Sequence, residues 1–375
     1  MNSVVELLQA LVRIPSVNPD NAPGTDRTGE AGVVGFLAEW LAGHGAEVIL
    51  EEVRPGRANL IARFAPMDGR PRVMFGPHSD TVGVEGMTID PFGGEIRDGR
   101  LWGRGACDTK GPMSAMLWAL VSEKERLGDL PVAMDFVAFM GEESGQWGSK
   151  DFARRHGGEY AFAVVGEPTS MEVVHANKGS LWATLVAEGK AAHSSMPELG
   201  ENAVLKLARG VCELDARLVP KLREYSHPVL GPSTVNVGVI RGGTRPNIVP
   251  DRAEAEIDIR IAPSLMEAGG AEKLLRGMLE EHAPGIRLAH VHENPPMETP
   301  VEHPMIRRLL DAGATGCAGA PWFSDAAHLA AGGIPSVCIG PGSIYQAHTV
   351  DEFIDIADLE ASVGVFRKFI GGLGG

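Results

Sequence analysis

The spacing of apolar residues changes several times along the chain, and each change marks an element. Over residues 28–44, Val33, Val34, Phe36, Leu37, Trp40 and Leu41 recur with helical spacing, which predicts an amphipathic helix. Short apolar stretches at 46–53, 58–64 and 72–75 read as strands. Residues 111–125 read as a helix through Met113, Met116, Leu117 and Leu120. The apolar run at 132–140 has the character of a strand buried on both faces, and 160–165 and 336–339 are of the same type. Residues 303–314, 324–331 and 358–370 read as helices. Alternation of helix and buried strand predicts an α/β domain with a largely parallel sheet.

The middle of the chain follows another pattern. Strands at 181–188, 234–241, 253–261 and 286–292 and helices at 201–218 and 264–282 give the order βαββαβ, the unit of a two-layer, ferredoxin-like sandwich. In the strand AEAEIDIRI, Ala253, Ala255, Ile257, Ile259 and Ile261 face one way, and Glu254, Glu256, Asp258 and Arg260 face the other. The expected organisation is therefore nested. A first part (1–176) and a last part (293–375) form one α/β domain, and residues 177–292, roughly 115 of them, are inserted into it.

Composition narrows the function. At 375 residues the chain is long enough for two or three domains of about 150 residues, so size alone requires no disulfide or structural metal. With 44% hydrophobic and 22% charged residues it is neither disordered nor fibrous. Lys and Arg number 34 against 49 Asp and Glu, a net charge of −15, which argues against a nucleic-acid partner. Cys107, Cys212, Cys317 and Cys338 are far apart with no C-x-x-C pair, and read as buried free thiols of a reducing compartment. The opening MNSVVELLQALVRIPS reads as a short amphipathic helix without the basic region and cleavage site of a signal peptide. No apolar run approaches the ~18 residues of a membrane span. A cytoplasmic protein with no membrane partner is expected.

The short signatures of serine hydrolases with a G-x-S-x-G elbow, P-loop NTPases, G-x-G-x-x-G dehydrogenases and H-E-x-x-H zinc proteases are absent. What stands out is a set of acidic and histidine residues just beyond strand-like segments. His78 and Asp80 follow 72–75, Asp108 opens a helix, Glu142 and Glu143 follow 132–140, Glu167 follows 160–165, and His348 lies beyond 336–339. In open α/β sheets the ligand site lies outside the carboxyl ends of the strands, so these residues can meet in one crevice. Each has an ordinary alternative: a loop hydrogen bond for His78, a helix cap for Asp108, solvated surface for Glu142 and Glu143, a turn for Glu167. Together, two histidines and several carboxylates without sulfur form a donor set for zinc or a similar divalent ion, and one large enough for two. Asp80, two residues beyond His78, is placed to accept an imidazole N–H.

The segments GPHSDTV, GRLWGRGACDTKG, MGEES, GEPTS, AAHSS, EIDIR and GPGSIYQAHTVDE, in this order from residue 76 to 352, resemble the M20 metallopeptidase and deacylase family. GEPTS and GPGSIYQAH look most like its acetylornithine deacetylase and succinyl-diaminopimelate desuccinylase group. The resemblance implies a dizinc aminopeptidase-like catalytic domain carrying an inserted dimerisation and lid domain, and an active homodimer. It implies that His78 and Glu167 bind one metal, Glu143 and His348 the other, and that Asp108 bridges them. Glu142 is then the general base, Asp80 orients His78, and the Asp108–Thr109 peptide is cis. From the inserted domain, His193 reaches over the dimer interface to the substrate carbonyl, and Arg260 holds the substrate carboxylate with Asn247 beside it. Without the resemblance, His193 is a loop histidine and Arg260 an ion-pair partner of Glu254 or Glu256. Lys178, Ser324 and Asp325 are further candidates.

Three departures bear on the substrate: Thr81-Val82-Gly83 where the family often has Thr-Val-Pro, Asn177-Lys178-Gly179 where its acetylornithine deacetylases have His-Lys-Gly, and Ser324-Asp325 in place of Thr-Glu. The first expectation is a two-metal amidohydrolase acting on a small N-acyl amino acid, with Zn²⁺ first and Co²⁺ or Mn²⁺ suited to the same donors. A dipeptidase or carboxypeptidase of the family is second, and a non-catalytic relative third.

Overall fold

The computed structural model describes residues 1–21 and 24–374. The chain divides into two compact units: Met1–His175 with Glu298–Ala318 and Ser324–Gly375, and Ala176–Met297 with Gly319–Phe323.

In the first unit the sheet places strands in the order Glu47–Arg54, Arg57–Arg63, Ala133–Ala138, Arg72–Phe75, Tyr160–Val165, Ser336–Cys338 and Glu172–Asn177. The four from Ala133–Ala138 to Ser336–Cys338 are mutually parallel. The flanking strands run antiparallel to their neighbours, so the sheet is mixed and parallel only at its centre. Those central strands are buried along almost their whole length, as their unbroken apolar sequence predicts. Helices Lys110–Ser122 and Ile356–Gly372 supply much of the covering core, with Phe366 edge-on to Phe75 at 5.3 Å between ring centroids. The N-terminal helix Val4–Val12 buries Leu7, Leu8 and Leu11, and the Ser3 hydroxyl caps it by accepting the Glu6 N–H. Among the described residues no helix is long and apolar enough to cross a membrane. All four cysteines are free; Cys107 and Cys338 are buried as expected, but Cys212 is exposed and Cys317 half-buried.

One polar group is built into this core. Arg72 donates to both oxygens of Asp135 on the adjacent parallel strand, and the Tyr160 hydroxyl donates to Asp135 Oδ2 at 2.8 Å. All three side chains are almost wholly buried.

The second unit contains an antiparallel sheet in the order Thr234–Gly242, Arg252–Ile261, Gly179–Glu188 and Ile286–Asn294, with helices Ala203–Arg223 and Gly270–His282. This is the split βαββαβ arrangement. Along Arg252–Ile261 the odd-numbered residues from Ala253 to Ile261 are buried and the even-numbered ones face outward. The structure corrects two helix boundaries. Residues 264–282 are not one helix: Gly269 and Gly270 take φ of 110° and 87°, ending Pro263–Glu267, and Glu293 Oε1 accepts the Ala271 N–H at 2.6 Å to start the next. Helix Ala203–Arg223 passes through Pro220, because Leu214, Leu218 and Leu222 all pack into the core of this unit.

Asp135→Ala leaves the Arg72 guanidinium buried without its carboxylate. The expected loss of stability is about 3–5 kcal/mol, read by urea denaturation. A loss near the ~1 kcal/mol of an average substitution means that the pair contributes little.

Candidate metal centre and active site

The segments that follow the central strands carry His78, Asp80, Glu142, Glu143, Glu167 and His348, and Asp108 lies just before helix Lys110–Ser122. The chain leaves Arg72–Phe75 through Gly76, whose N–H donates to the Val164 carbonyl at 2.9 Å, and Ser79 bonds the Phe139 carbonyl through both its N–H and its hydroxyl. This fixes His78 and Asp80 beside the segment that leads to Glu142. Gly141 turns that segment with φ of 73°, a conformation costly for a residue with a Cβ. Thr109 Oγ1 donates to the Gly166 carbonyl at 2.6 Å, joining the segments of Asp108 and Glu167. The Asp108–Thr109 peptide is cis.

His78, Asp108 and Glu143 each offer a ligand atom within 4.8 Å of the others. Asp108 Oδ1 lies 3.0 Å from His78 Nε2, and Asp108 Oδ2 lies 3.4 Å from His348 Nε2. Glu143 Oε2 lies 3.1 Å from the same His348 nitrogen. Glu167 is buried and acts on Asp108 and His78 electrostatically. Glu143 Oε1 and Glu167 Oε1 are buried with no hydrogen-bond partner among the described residues. Such orphaned carboxyl oxygens, beside two imidazoles and a carboxylate whose oxygens are split between them, fit divalent cations of the nitrogen- and oxygen-preferring kind.

The electrostatics follow from this crowding. Burial raises the carboxyl pKa values of Glu142, Glu143 and Glu167, those of Glu142 and Glu167 well above the ordinary range, and neighbouring carboxylates push the same way. Burial opposes charge on Asp108 too, but hydrogen bonds from His348 and His78 prevail and hold its pKa low. Hydrogen bonds to Asp108 and Glu143 push His348 up to about 10. His78 is also raised, since its bonds to Asp108 and Asp80 outweigh its burial.

Asp80 does more than face His78. The His78 Nδ1 atom lies 3.0 Å from the Asp80 backbone carbonyl and 3.5 Å from its Oδ1. The carboxylate chiefly accepts backbone N–H groups, Glu142 on Oδ1 and Glu143 on Oδ2, each at 3.1 Å. Asn18 Nδ2 donates to Oδ2 at 2.8 Å. Asn18 was not singled out in the sequence, and nothing in SVNPD points to it. Also missed were Glu352, which accepts the Asp108 N–H at 2.9 Å, and its ion-pair partner Arg104. Lys110, fully buried, donates to the Leu11 and Ile14 carbonyls, and burial pushes its pKa down to about 7.

Asp325 is also buried in this unit. It accepts the Ser149 hydroxyl, and burial pushes its pKa up to about 7. Ser324 contacts Cys338 Sγ at 3.2 Å. Four of the candidates belong to the second unit. His193 is exposed, its Nδ1 2.7 Å from Ser195 Oγ, and it pairs in a short antiparallel bridge with Ile248, next to the exposed Asn247. Arg260 pairs with Asp258 at 2.9 Å and not with Glu254 or Glu256, which are taken by Arg252 and Arg241. Lys178 Nζ donates to the Pro232 carbonyl, and burial followed by the Arg260 charge lowers its pKa.

Residues 74–371 match peptidase family M20/M25/M40. The acetylornithine deacetylase of Proteus mirabilis (strain HI4320) is 32% identical over 98% of this chain and 95% of its own length. The fold is shared with the M20 family metallo-carboxypeptidase Sso-CP2 from Sulfolobus solfataricus: TM-score 0.80, 20% identity, 99% of both chains covered. It is shared as well with the Bacillus subtilis YXEP protein, described as a dinuclear metal binding peptidase from the M20 family: TM-score 0.69, 14% identity, covering 99% of this chain and 97% of that one.

With His348 pushed up to about 10 and His78 also raised, metal uptake is expected to displace protons from the imidazoles. The affinity for Zn²⁺ is expected to fall about tenfold per pH unit for each proton displaced as pH is lowered from about 8 to about 6. Calorimetry in two buffers of different protonation enthalpy counts the protons, and an affinity flat across that window contradicts this reading of the site.

Proposed function

The chain belongs to peptidase family M20/M25/M40, a family of metal-dependent hydrolases of amide and peptide bonds, and from that premise we propose that it removes the acyl group from a small N-acyl amino acid, acetylornithine first among the candidates. The observation that carries this reading is Glu142, a carboxylate with a strongly raised pKa beside the His78, Asp108 and Glu143 cluster. Its backbone N–H donates to Asp80 Oδ1 at 3.1 Å, which sets it next to Glu143. The near full-length likeness to an acetylornithine deacetylase supports the choice of substrate class.

In this reading His78 and Glu167 would hold one cation and Glu143 and His348 the other, and Asp108, with one oxygen toward each histidine, would serve both. Zinc is the first choice for this nitrogen and oxygen donor set, with cobalt or manganese as alternatives. Two cations bound there would supply Lewis acidity, polarising a substrate carbonyl and making water a usable nucleophile near neutral pH. Glu142 takes the proton of the attacking water and passes it to the leaving nitrogen as the C–N bond breaks, giving a carboxylate and an amine. Asp80 holds the Glu142 backbone in place for both transfers. His193 donates to the carbonyl oxygen as charge develops on it, acting from the partner in a homodimer. Arg260 and Asn247 bind the substrate carboxylate, Arg260 by the planar fork suited to it. The 177–292 segment serves as dimerisation and lid domain, and the enzyme works in the cytoplasm.

A dipeptidase or carboxypeptidase is the second reading. Asn177-Lys178-Gly179 and Ser324-Asp325 depart from the acetylornithine deacetylase pattern and weigh against ornithine as the substrate.

The test is a hydrolysis screen of N-acetyl, N-succinyl and N-formyl amino acids beside dipeptides, with added Zn²⁺ or Co²⁺ and a chelator-treated control. N-acetylornithine ranking high supports the first reading, and turnover confined to dipeptides supports the second. Glu142→Ala should still bind metal but lose about 10²–10⁴-fold in kcat, and near-native turnover removes Glu142 from the mechanism. His193→Ala should lose ~10²–10³-fold in rate, and a strictly monomeric sample with full activity removes its action across a dimer.

A further inference from the structure

We propose that Glu352 is a positioning residue that presets Asp108 for metal binding. The proposal rests on the reading of Asp108 and His348 as metal ligands, and it concerns a residue to which that reading gives no role.

The Glu352 side chain is fully buried, and both of its oxygens are fully engaged. Oε1 accepts the N–H groups of Cys107 and Asp108, each at 2.9 Å. Oε2 accepts the Gly105 N–H at 3.2 Å and Arg104 Nη1 at 2.7 Å. The Glu352 carbonyl accepts the Gly103 N–H at 3.0 Å. Arg104 in turn donates through Nε to the Gly83 carbonyl at 3.0 Å, three residues beyond Asp80.

A buried ion pair by itself needs only Arg104. Here the backbone from 105 to 108 also wraps the carboxylate with three N–H groups, the kind of concavity that holds an anion. The wrap depends on Gly105, whose φ is 82° and where a Cβ would stand 2.8 Å from the Thr81 side chain. The last N–H in the wrap is that of Asp108 itself. Glu352 is four residues past His348, so one carboxylate joins the segments that carry two of the candidate ligands. Through Arg104 it also reaches the segment that carries His78 and Asp80. The arrangement sets the Asp108 backbone before any cation arrives, which lowers the ordering cost of binding.

The decisive variant is Glu352→Gln, nearly the same in shape. Its amide oxygen can still accept from Cys107 and Asp108, but its NH₂ group faces the Arg104 guanidinium and the Gly105 N–H, two donors with no acceptor. The expected result is a loss of Zn²⁺ affinity of about 10–100-fold, the range typical of groups that orient a ligand, measured by chelator competition. At saturating Zn²⁺ most of kcat should return. A lowered melting temperature with Zn²⁺ affinity within about twofold of native overturns the proposal, because Glu352 then only stabilises the fold. Should the variant fail to fold, hydrogen exchange on the native chain decides. The amides of Gly105, Cys107 and Asp108 should be as protected in metal-free protein as in loaded protein. Exchange that speeds up by about tenfold or more when metal is stripped shows that the cation orders this loop, and overturns the proposal. A native chain that binds no Zn²⁺ at all instead fails the metal-centre reading itself.

Discussion

The architecture of the first unit depends on one costly act, the burial of several carboxylates in a single place. Asp80, Asp108 and Glu167 are almost wholly buried, and Glu142 and Glu143 stand beside them. Removing even one charged group from water costs several kcal/mol unless it is paired. Two imidazoles cannot neutralise five acids. The protein meets part of the cost by raising carboxyl pKa values, so that Glu142, Glu143 and Glu167 hold protons more readily. Another part is met by backbone N–H groups, which Asp80 and Glu352 collect. What remains, the orphaned oxygens of Glu143 and Glu167, is the share that divalent cations are suited to take. The net charge of −15 therefore overstates the negative charge of a loaded protein, because several of those acids sit where dications would offset them.

The parallel strands made much of this legible in the sequence. Four strands pointing the same way release their chains on one edge, so residues that follow separate strands meet although the sequence holds them far apart. His78, Glu143 and His348 could be picked out because each is a chemically distinctive residue beyond an apolar run, and Asp108 because it opens a helix. The alternation in Arg252–Ile261 was equally plain, since a strand with one covered face writes its register in every second residue.

What the sequence did not reveal has a common cause: it lies in partners and not in residue types. Asn18 is an ordinary loop asparagine until Asp80, 62 positions away, accepts its amide proton. Glu352 closes the segment GPGSIYQAHTVDE, yet its part shows only when it is seen holding the Asp108 N–H across 244 positions. The strand pattern suggested Glu254 or Glu256 for Arg260, yet Asp258, two residues along the same face, takes it because other arginines occupy those two. The antiparallel flanks of the main sheet were likewise hidden, since burial leaves the same apolar record whichever way a strand runs. The break at Gly269 depends on a cap from Glu293, a residue of a later strand.

This dependence on distant partners also determines how the site responds to change. Asp80 holds the backbones of both Glu142 and Glu143, so the candidate base and a candidate ligand share one support. Glu352 and Arg104 tie the Asp108 segment to the residues around His348 and to Gly83. Groups that share partners in this way do not contribute independently, and removing one alters what the others are worth. The carboxylates of Asp80 and Glu352 need not touch substrate to matter. Each converts a loop that could take many conformations into one that presents a charged group at a set position. The reacting groups are therefore only part of the site, and buried acids that hold backbone N–H groups are the rest.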